Sequence, residues 1–353
     1  MHRCLQIAQY GESYVAPNPM VGALLVWGDE IIGEGFHHRY GEPHAEPNAI
    51  NAVENKELLK DCTLYVNLEP CSHYGKTPPC ADLIVRSGIP RVVIGTLDPN
   101  PKVAGRGVEI LRKAGVDVQV GVLEEECRQL NKRFFIFQEQ KRPYILLKWA
   151  QTQDGFIDKK RIDVTEAPLI ISNEITKQLT HQMRSQNQAI MVSTITVLLD
   201  NPSLTVRNWS GKSPIRIAID RLGRIPAHYH LLDGSLPTII FTELEKPKRK
   251  NLEFITIEFD DNCLTTILQK IYERGINSVL VEGGAKLLNS FIKSGLWDEA
   301  NIEVSPQQIS DGVTAPLLPL LPISRKNFEG HEWLFYINNK ANACFTNKIN
   351  CAL

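Results

Sequence analysis

The sequence has no long hydrophobic run, and this absence excludes several classes of protein. No apolar stretch in the 353-residue chain approaches the roughly 20 residues that span a bilayer, so we expect no membrane partner. The N-terminal "MHRCLQIAQYGES" lacks the apolar core of a secretory signal. Cys351 does not have the spacing of a C-terminal prenylation signal. These absences predict a cytoplasmic protein.

Neither sign of charge is in marked excess. The net charge is -1, so nothing draws the whole chain toward nucleic acid or anionic lipid. A nucleic-acid-editing enzyme with an appended binding domain would need a basic domain or stripe, and this balance argues against one. The eight cysteines are also too few for a disulfide scaffold in a chain of this length. In a reducing compartment, paired cysteines more often indicate metal binding or catalysis.

Alternating strand and helix patterns run through both halves of the chain and predict sheets covered by helices. The hydrophobic runs around Gly28 and Asp29 predict a hairpin, and βα repeats follow it. The polar segment 137–143 resembles a linker. We therefore predict one domain over 1–141 and a second over 142–353, with a weakly packed tail after about 338. Predicted strands of the second half are "YILLKWAQT", "APLIIS", "QAIMVST", "PIRIAID", "PTIIFT", "SVLVEGG" and "ANIEVSP".

A His-x-Glu pair and two cysteines suggest a metal site in the first half. His44 and Glu46 stand at a predicted helix start, Cys71 follows a strand and is expected to begin the next helix, and Cys80 lies further along. One imidazole and two thiolates form a catalytic zinc set, because the fourth position stays open for water. Glu46 would carry the proton rather than bind zinc. Zinc nucleobase deaminases have this arrangement. Taken singly, either cysteine is better explained as a small buried apolar residue.

The motifs around this site resemble the deaminase domain of the bifunctional riboflavin-biosynthesis deaminase/reductase family. The resemblance rests on "APNPMVGA", "GEGFHHRYGEPHAE", "LEPCSHYGKTPPCADLI" and "DPNPKVAGRGVEILRKAG", and it includes the long spacer between the cysteines. It implies a cytidine-deaminase-like α/β/α sandwich that removes an amino group from a phosphorylated ribosylaminopyrimidine. It also implies substrate contacts from Asn18, His37, His73, Lys76, Asp98 and Asn100. Lys76 could also be a solvated surface lysine, and His37 a polar strand end.

The second half resembles the reductase domain of the same family. The resemblance rests on "LLKWAQTQDGFID" and on the segment from "ISNEITKQL" to "DNPSLTVR", and it implies a dihydrofolate-reductase-like α/β fold that uses NADPH. The turn in "SVLVEGGAKLLNSFIKSG" opens a helix whose free N–H groups suit a phosphate, although taken by itself it is better explained as an ordinary tight turn.

The resemblance also implies roles for residues of the second half. Asp200 is the candidate catalytic acid and a cofactor contact. Without the resemblance, it would be read as capping a turn. The expected cofactor contacts are Ala150, Ile170, Thr196, Asp200, Gly284, Ala285, Lys286, Leu287, Leu288, Asn289 and Ser290. The expected substrate contacts are Pro168, Leu204, Arg207 and Glu282, with Arg207 as the phosphate partner.

Three positions depart from the family pattern. Pro47 follows Glu46 and is tolerated only in a first helical turn. Pro168 stands where a serine is common, and Ile170 replaces a tryptophan that would give the cofactor a flat contact. An alternative hypothesis is therefore a deaminase with a non-catalytic or impaired reductase-like domain. The resemblance further implies a homo-oligomer, a dimer or tetramer.

Overall fold

The computed structural model describes residues 1–72, 78–100 and 103–339. Contacts divide the chain into two compact units, Met1–Lys141 and Arg142–Leu353. No helix of the described residues is long and apolar enough to cross a membrane. The predicted weakly packed tail falls mostly on residues 340–353, which lie outside the described residues.

The first unit is built on a five-stranded sheet of order β2-β1-β3-β4-β5. The β1–β2 hairpin at Gly28 is confirmed, β1 and β3 are antiparallel, and β3, β4 and β5 run parallel. The strands are β1 Gly22–Trp27, β2 Glu30–Phe36, β3 Thr63–Leu68, β4 Arg91–Thr96 and β5 Asp117–Val120. The helices are α1 His2–Ala8, α2 Ala45–Ala52, α3 Cys80–Arg86, α4 Arg106–Lys113, α5 Glu124–Leu130 and α6 Lys132–Gln140.

Helices cover both faces of this sheet. Ala23 and Leu25 of β1 belong to the core formed with α2, α3 and α4, whereas Leu24 packs with Cys4 and Ile7 of α1. Successive strand residues point to opposite faces, so α1 lies on the face away from α2. The predicted α/β/α sandwich is therefore confirmed.

The second unit is built on a nine-stranded sheet of order β11-β10-β9-β8-β12-β6-β13-β16-β15. The first seven strands of this order, from β11 through β13, run parallel to one another. β16 pairs antiparallel with β13, and β15 pairs antiparallel with β16. The larger strands are β6 Tyr144–Thr152, β8 Ala189–Ser193, β9 Ile215–Ile219, β10 Thr238–Thr242, β11 Leu252–Thr256, β12 Ser278–Val281, β13 Glu299–Ser305, β15 Ser324–Phe328 and β16 His331–Ile337. β7 Phe156–Asp158 pairs with β14 Val313–Thr314. The helices are α7 Glu174–Ser185, α8 Thr194–Asp200, α9 Cys263–Glu273 and α10 Ala285–Ser294.

Alternating side chains of β6, an interior strand, pack into two hydrophobic cores on opposite faces of this sheet. Ile145 and Leu147 pack with α9 and α10, whereas Leu146 packs with Val197 of α8 and the segment around Leu231. The β6, β8, β9, β10, β12 and β13 predictions are confirmed, since these short apolar runs are buried on both faces as parallel strands require.

Two expectations about local structure are wrong. Residues 137–140 belong to α6 rather than to a linker, because buried Phe134, Phe135 and Ile136 anchor that helix and its polar end is exposed. The helix stops at Lys141, which adopts φ 55°, just before Pro143.

The segment "APLIIS", residues 167–172, is not a strand. Its backbone forms hydrogen bonds with side chains instead, and Gln307 Nε2 donates to Ile170 O at 3.0 Å.

Candidate active sites

One histidine nitrogen and two cysteine sulfur atoms lie close together in the first unit, where they could bind a metal ion. His44 caps the start of α2, Cys71 lies in the turn after β3, and Cys80 is the first residue of α3. The expectation that Cys71 begins a helix is wrong, because Cys71 and Ser72 are not helical. The close approach of α2 to β2 needs a glycine, because a Cβ on Gly35 would lie 2.2 Å from Ala49 N.

The spacing of these atoms fits a tetrahedral metal ion. His44 Nδ1 lies 3.6 Å from Cys71 Sγ and 3.4 Å from Cys80 Sγ, and all three ligand atoms lie within 4.8 Å of one another. Zinc bonds of ~2.0–2.3 Å to nitrogen and sulfur place tetrahedral ligand atoms roughly 3.5 Å apart. Hydrogen bonds from Cys80 and His44 lower the pKa of Cys71, which favours the thiolate that zinc requires. The residues present therefore fit zinc.

Glu46 lies beside this centre without being one of the three ligands. Its side chain is 3% exposed, and burial, with the nearby Cys71, raises its pKa to about 7. A carboxyl group that titrates near neutrality can both accept and donate a proton. Pro47 takes the third position of α2, where a helix needs no backbone donor, so the proline is accommodated as predicted.

Asn18 and His37 form a hydrogen-bonded pair next to the ligand His44. Asn18 Nδ2 lies 3.1 Å from His37 Nε2, and His37 Nδ1 lies 3.0 Å from Pro43 O. Only a ring N–H can bond to a carbonyl, so Nδ1 donates and Nε2 accepts. Burial lowers the pKa of His37, and its ring centroid is 5.3 Å from that of His44. A neutral histidine therefore lies at the edge of the metal site.

Asp98 and Asn100 occupy the turn after β4, where Asp98 Oδ1 accepts from Asn100 N at 2.7 Å. Burial raises the pKa of Asp98 to about 6, and the neighbouring Glu69 and Cys71 add to the rise. Sequence reasoning missed Glu69, whose carboxylate accepts from Asp98, Gly105, Gly107 and Val108 backbone N–H groups. The acidic residue directly before Pro70-Cys71 was the available signal. His73 and Lys76 lie outside the described residues.

The second unit contains a cavity of about 800 Å³, a size typical of ligand sites. Ten of the residues predicted from the sequence lie on its wall. They are Ala150, Thr196, Asp200, Glu282, Gly284, Ala285, Lys286, Leu287, Leu288 and Ser290.

The remaining five predicted residues are not part of this wall. Leu204 is 3% exposed and belongs to the core beside Val197. Arg207 Nη1 donates to Thr205 Oγ1, and the Ile170 side chain is 69% exposed. Pro168 and Asn289 are also absent from the wall. The structure does not bring these residues together with the other ten.

The Gly283-Gly284 turn connects β12 to α10 and leaves no room for side chains. Gly283 and Gly284 have φ values of 122° and 77°, and a Cβ on Gly284 would lie 2.3 Å from Ser193 Oγ. Ser193 in turn caps α8 by accepting from Thr196 N at 3.3 Å. Two helix starts therefore meet at the cavity wall, and the first N–H groups of α10, which no side chain caps, suit the diphosphate of a dinucleotide. The residues present fit such a cofactor.

Asp200 is held by an arginine that sequence reasoning missed. Arg161 forms ion pairs with Asp200 and with Asp158, the latter at 2.7 Å, and donates to Leu199 O at 3.0 Å. Asp158, Arg161 and Asp200 all line the cavity. No sequence motif marked Arg161, because the tertiary fold brings it to Asp200.

Glu282 belongs to a buried group of charges. Arg184 binds it through two hydrogen bonds of 2.9 and 2.6 Å. Burial favours a higher pKa for Glu282, but Arg184 and Lys148 outweigh it and lower the pKa. Burial lowers the pKa of Lys148, which also lines the cavity. A carboxylate and two cations thus lie together at or beside the wall, and neither cation was predicted.

Comparison with known proteins gives a family match for each unit. Residues 1–96 match the family model of the cytidine and deoxycytidylate deaminase zinc-binding region, and residues 143–319 match that of the RibD C-terminal domain. Riboflavin biosynthesis protein RibD of Aquifex aeolicus is 41% identical over 89% of this chain and 88% of its own length. RibD of Bacillus amyloliquefaciens is 42% identical over 90% of this chain and 86% of its own length.

Solved structures show the same fold over nearly the whole chain. The diaminohydroxyphosphoribosylaminopyrimidine deaminase/5-amino-6-(5-phosphoribosylamino)uracil reductase of Thermotoga maritima is 37% identical, with a TM-score of 0.84. The match covers 95% of this chain and 96% of that one. RibD of Acinetobacter baumannii (form 1) is 30% identical, with a TM-score of 0.85 and coverage of 95% and 97%.

Fold and site together define a two-domain enzyme, a zinc-dependent deaminase joined to a reductase. The chain belongs to the RibD family of riboflavin biosynthesis proteins. It is a bifunctional deaminase and reductase whose cofactors are zinc and NADPH. The family resemblance and the fold class predicted from the sequence are confirmed.

Proposed function

We propose that residues 1–141 deaminate a diaminopyrimidinone that carries a ribosylamino 5-phosphate, and that residues 142–353 then reduce its ribosyl group to a ribityl chain. The name of the Thermotoga maritima relative supports both steps. The observation that carries the first step is the cluster of His44, Cys71 and Cys80 beside buried Glu46.

The first step is a hydrolysis in which water adds to the ring carbon and ammonia leaves. His44, Cys71 and Cys80 would hold zinc, which supplies Lewis acidity to the site when bound. Glu46 accepts the proton of the attacking water and donates it to the departing amine, as its pKa of about 7 allows. His37, kept neutral by burial, and Asn18 are placed to contact the pyrimidine edge.

The second step transfers a hydride to C1′ and a proton to the ring oxygen that leaves it. NADPH supplies the hydride when bound. The Gly284 turn would bind the diphosphate of NADPH, and Ala150 and Thr196 would contact other parts of the cofactor. Glu282 would face the substrate. Asp200 would take up a proton from solvent and pass it to this ring oxygen, and Arg161 would hold the carboxylate in position. Substrate roles for His73, Lys76, Pro168, Leu204 and Arg207 and cofactor roles for Ile170 and Asn289 stay predictions.

The two activities can be tested in one assay of the purified full chain. We expect ammonia release from the diaminopyrimidinone phosphate that requires zinc but not NADPH, followed by NADPH oxidation. Ammonia release with no NADPH oxidation or binding would support the alternative of an impaired reductase domain. No ammonia release from zinc-loaded protein would refute the deaminase assignment.

We also propose that the enzyme is a cytoplasmic homo-oligomer. The six described cysteines are unpaired, as expected in a reducing compartment. The apolar side chains Leu317 and Leu321 are 80% and 85% exposed, and a subunit interface would cover them. Light scattering of the purified protein would give its mass, and a monomer at micromolar concentration would refute the oligomer.

A further inference from the structure

The reductase cavity extends across the ends of neighbouring parallel strands. Its wall includes Ala150 of β6, Gly283 after β12, Thr194 after β8 and Ile219 of β9. These four strands are adjacent in the sheet, and a spacing of ~4.8 Å places β9 roughly 14 Å from β6. The proposed diphosphate turn follows β12, so a bound dinucleotide has room on both sides of it.

The two ends of the cavity differ in chemistry. The β6 end carries charged and polar groups, including Lys148, Asp158 and Ser172, beside apolar side chains such as Trp149 and Ile171, and the charges suit the reaction centre. The β9 end carries Ile219, Phe259 and Leu264, which form an apolar surface suited to a flat adenine ring. The adenosine half of the cofactor therefore belongs at the β9 end.

Four cations line the cavity among the described residues, and three of them have an assigned place. Lys148 is buried beside Glu282, and Arg161 is bound to Asp158 and Asp200. Lys286 stands in the first turn of α10, next to the diphosphate turn. Arg224 is the fourth. It is exposed, stands at the β9 end, and forms no ion pair with any residue that the structure describes.

The backbone that carries Arg224 is held in place. Asp220, directly after β9, accepts from Arg224 N and Ile225 N, both at 3.0 Å. An arginine without an acidic partner beside an adenine surface is suited to a phosphate, because its planar fork can bind two oxygens at once. We propose that Arg224 binds the 2′-phosphate of NADPH and thereby sets the preference for NADPH over NADH. This proposal rests on the proposed reductase function of the second unit.

Binding of adenosine fragments to the full-length enzyme tests the proposal without turnover. Calorimetry would compare 2′,5′-ADP, which carries the 2′-phosphate, with 5′-AMP, which lacks it. We expect Arg224→Gln to weaken 2′,5′-ADP binding about tenfold or more and to leave 5′-AMP binding unchanged. Arg224→Lys keeps the charge and should retain part of the affinity. The ratio of kcat/KM for NADPH to that for NADH should fall in parallel.

Arg221 provides the matched control, since it lies three residues earlier and its side chain already pairs with Glu243 at 2.9 Å. Arg221→Gln should leave the preference for 2′,5′-ADP unchanged. The proposal is overturned if Arg224→Gln keeps the wild-type preference, or if Arg221→Gln alone removes it. A wild-type enzyme that binds neither NADPH nor 2′,5′-ADP would instead refute the reductase function. Unchanged 5′-AMP binding would show that the cofactor cavity of each variant is folded, whereas deamination depends on the other unit and reports nothing about it.

Discussion

In the first unit, three side chains from two helix starts and a turn converge within 4.8 Å, whereas in the second unit the cavity wall comes from the ends of several strands. A metal site needs a few specific atoms, so each ligand is a distinctive residue type. A dinucleotide site needs space and backbone N–H groups, which many residue types can provide. The comparison explains why the same sequence was far more informative about one centre than about the other.

The largest expected effect separates metal binding from proton transfer in the first unit. Glu46→Gln should retain zinc and lower the deamination rate about 100- to 10,000-fold, because the carboxyl moves the proton but does not bind the metal. Cys71→Ser should lose both zinc and deamination. Metal content by mass spectrometry and ammonia release would be measured together. Full activity in Glu46→Gln would contradict the proton-carrier role.

Asp200→Asn should slow reduction about 100-fold and leave deamination intact, since the amide cannot donate the proton that C1′ reduction requires. Asp158→Asn is the control, because it removes the other carboxylate bound to Arg161. Stopped-flow NADPH oxidation would be compared for the two variants. Equal losses would show that Asp200 acts only by holding Arg161.

A single methyl group tests the turn between β12 and α10. Gly284→Ala should weaken NADPH binding roughly tenfold, because its Cβ would lie 2.3 Å from Ser193 Oγ. Gly295→Ala also places an alanine at a positive φ of 71°, in the less costly left-handed helical region, and has nothing within 4 Å of its Cβ. Fluorescence titration with NADPH should therefore distinguish the two. Equal losses would trace the effect to backbone strain alone.

The smallest effect concerns acid stability of the second sheet. Arg216 on β9 is 1% exposed and pairs with Asp233 at 3.0 Å. Burial opposes ionisation, but hydrogen bonds from Ser235 and Arg216 lower the pKa of Asp233 to about 2. The unfolded chain has the ordinary, higher pKa, so the pair stabilises the fold above about pH 4 and loses this effect as pH falls toward 2.

Asp233→Asn should therefore lower the free energy of unfolding only modestly, within the about 0–1 kcal/mol typical of partly exposed pairs. The difference from the wild type should narrow as the pH falls from about 4 toward 2. Urea denaturation over this range would measure it, with Asp311→Asn, from an exposed pair with Lys160, as the control. A difference that widens in acid would contradict the assigned pKa direction.

Elements with a strong local pattern were predictable from the sequence. The hairpin at Gly28, the parallel strands and the turn before α10 followed from apolar runs and glycines. The segment "APLIIS" was not predictable, because its backbone is bound by Gln307 and Asp158, which are distant in sequence. The polar end of α6 was mistaken for a linker because its buried anchor precedes it.

The sequence by itself indicated the candidate zinc ligands, the proposed proton carrier and many of the strands and helices, because these depend on residue type and local spacing. Only the tertiary structure decided which charges meet: Arg161 with Asp200, Arg184 with Glu282, and Glu69 with the loop after β4. Among the residues that the structure describes, it also left Arg224 without an acidic partner at the cavity wall. The reason is physical, since an ion pair depends on distance in space, and residues far apart in sequence become neighbours only when the chain folds.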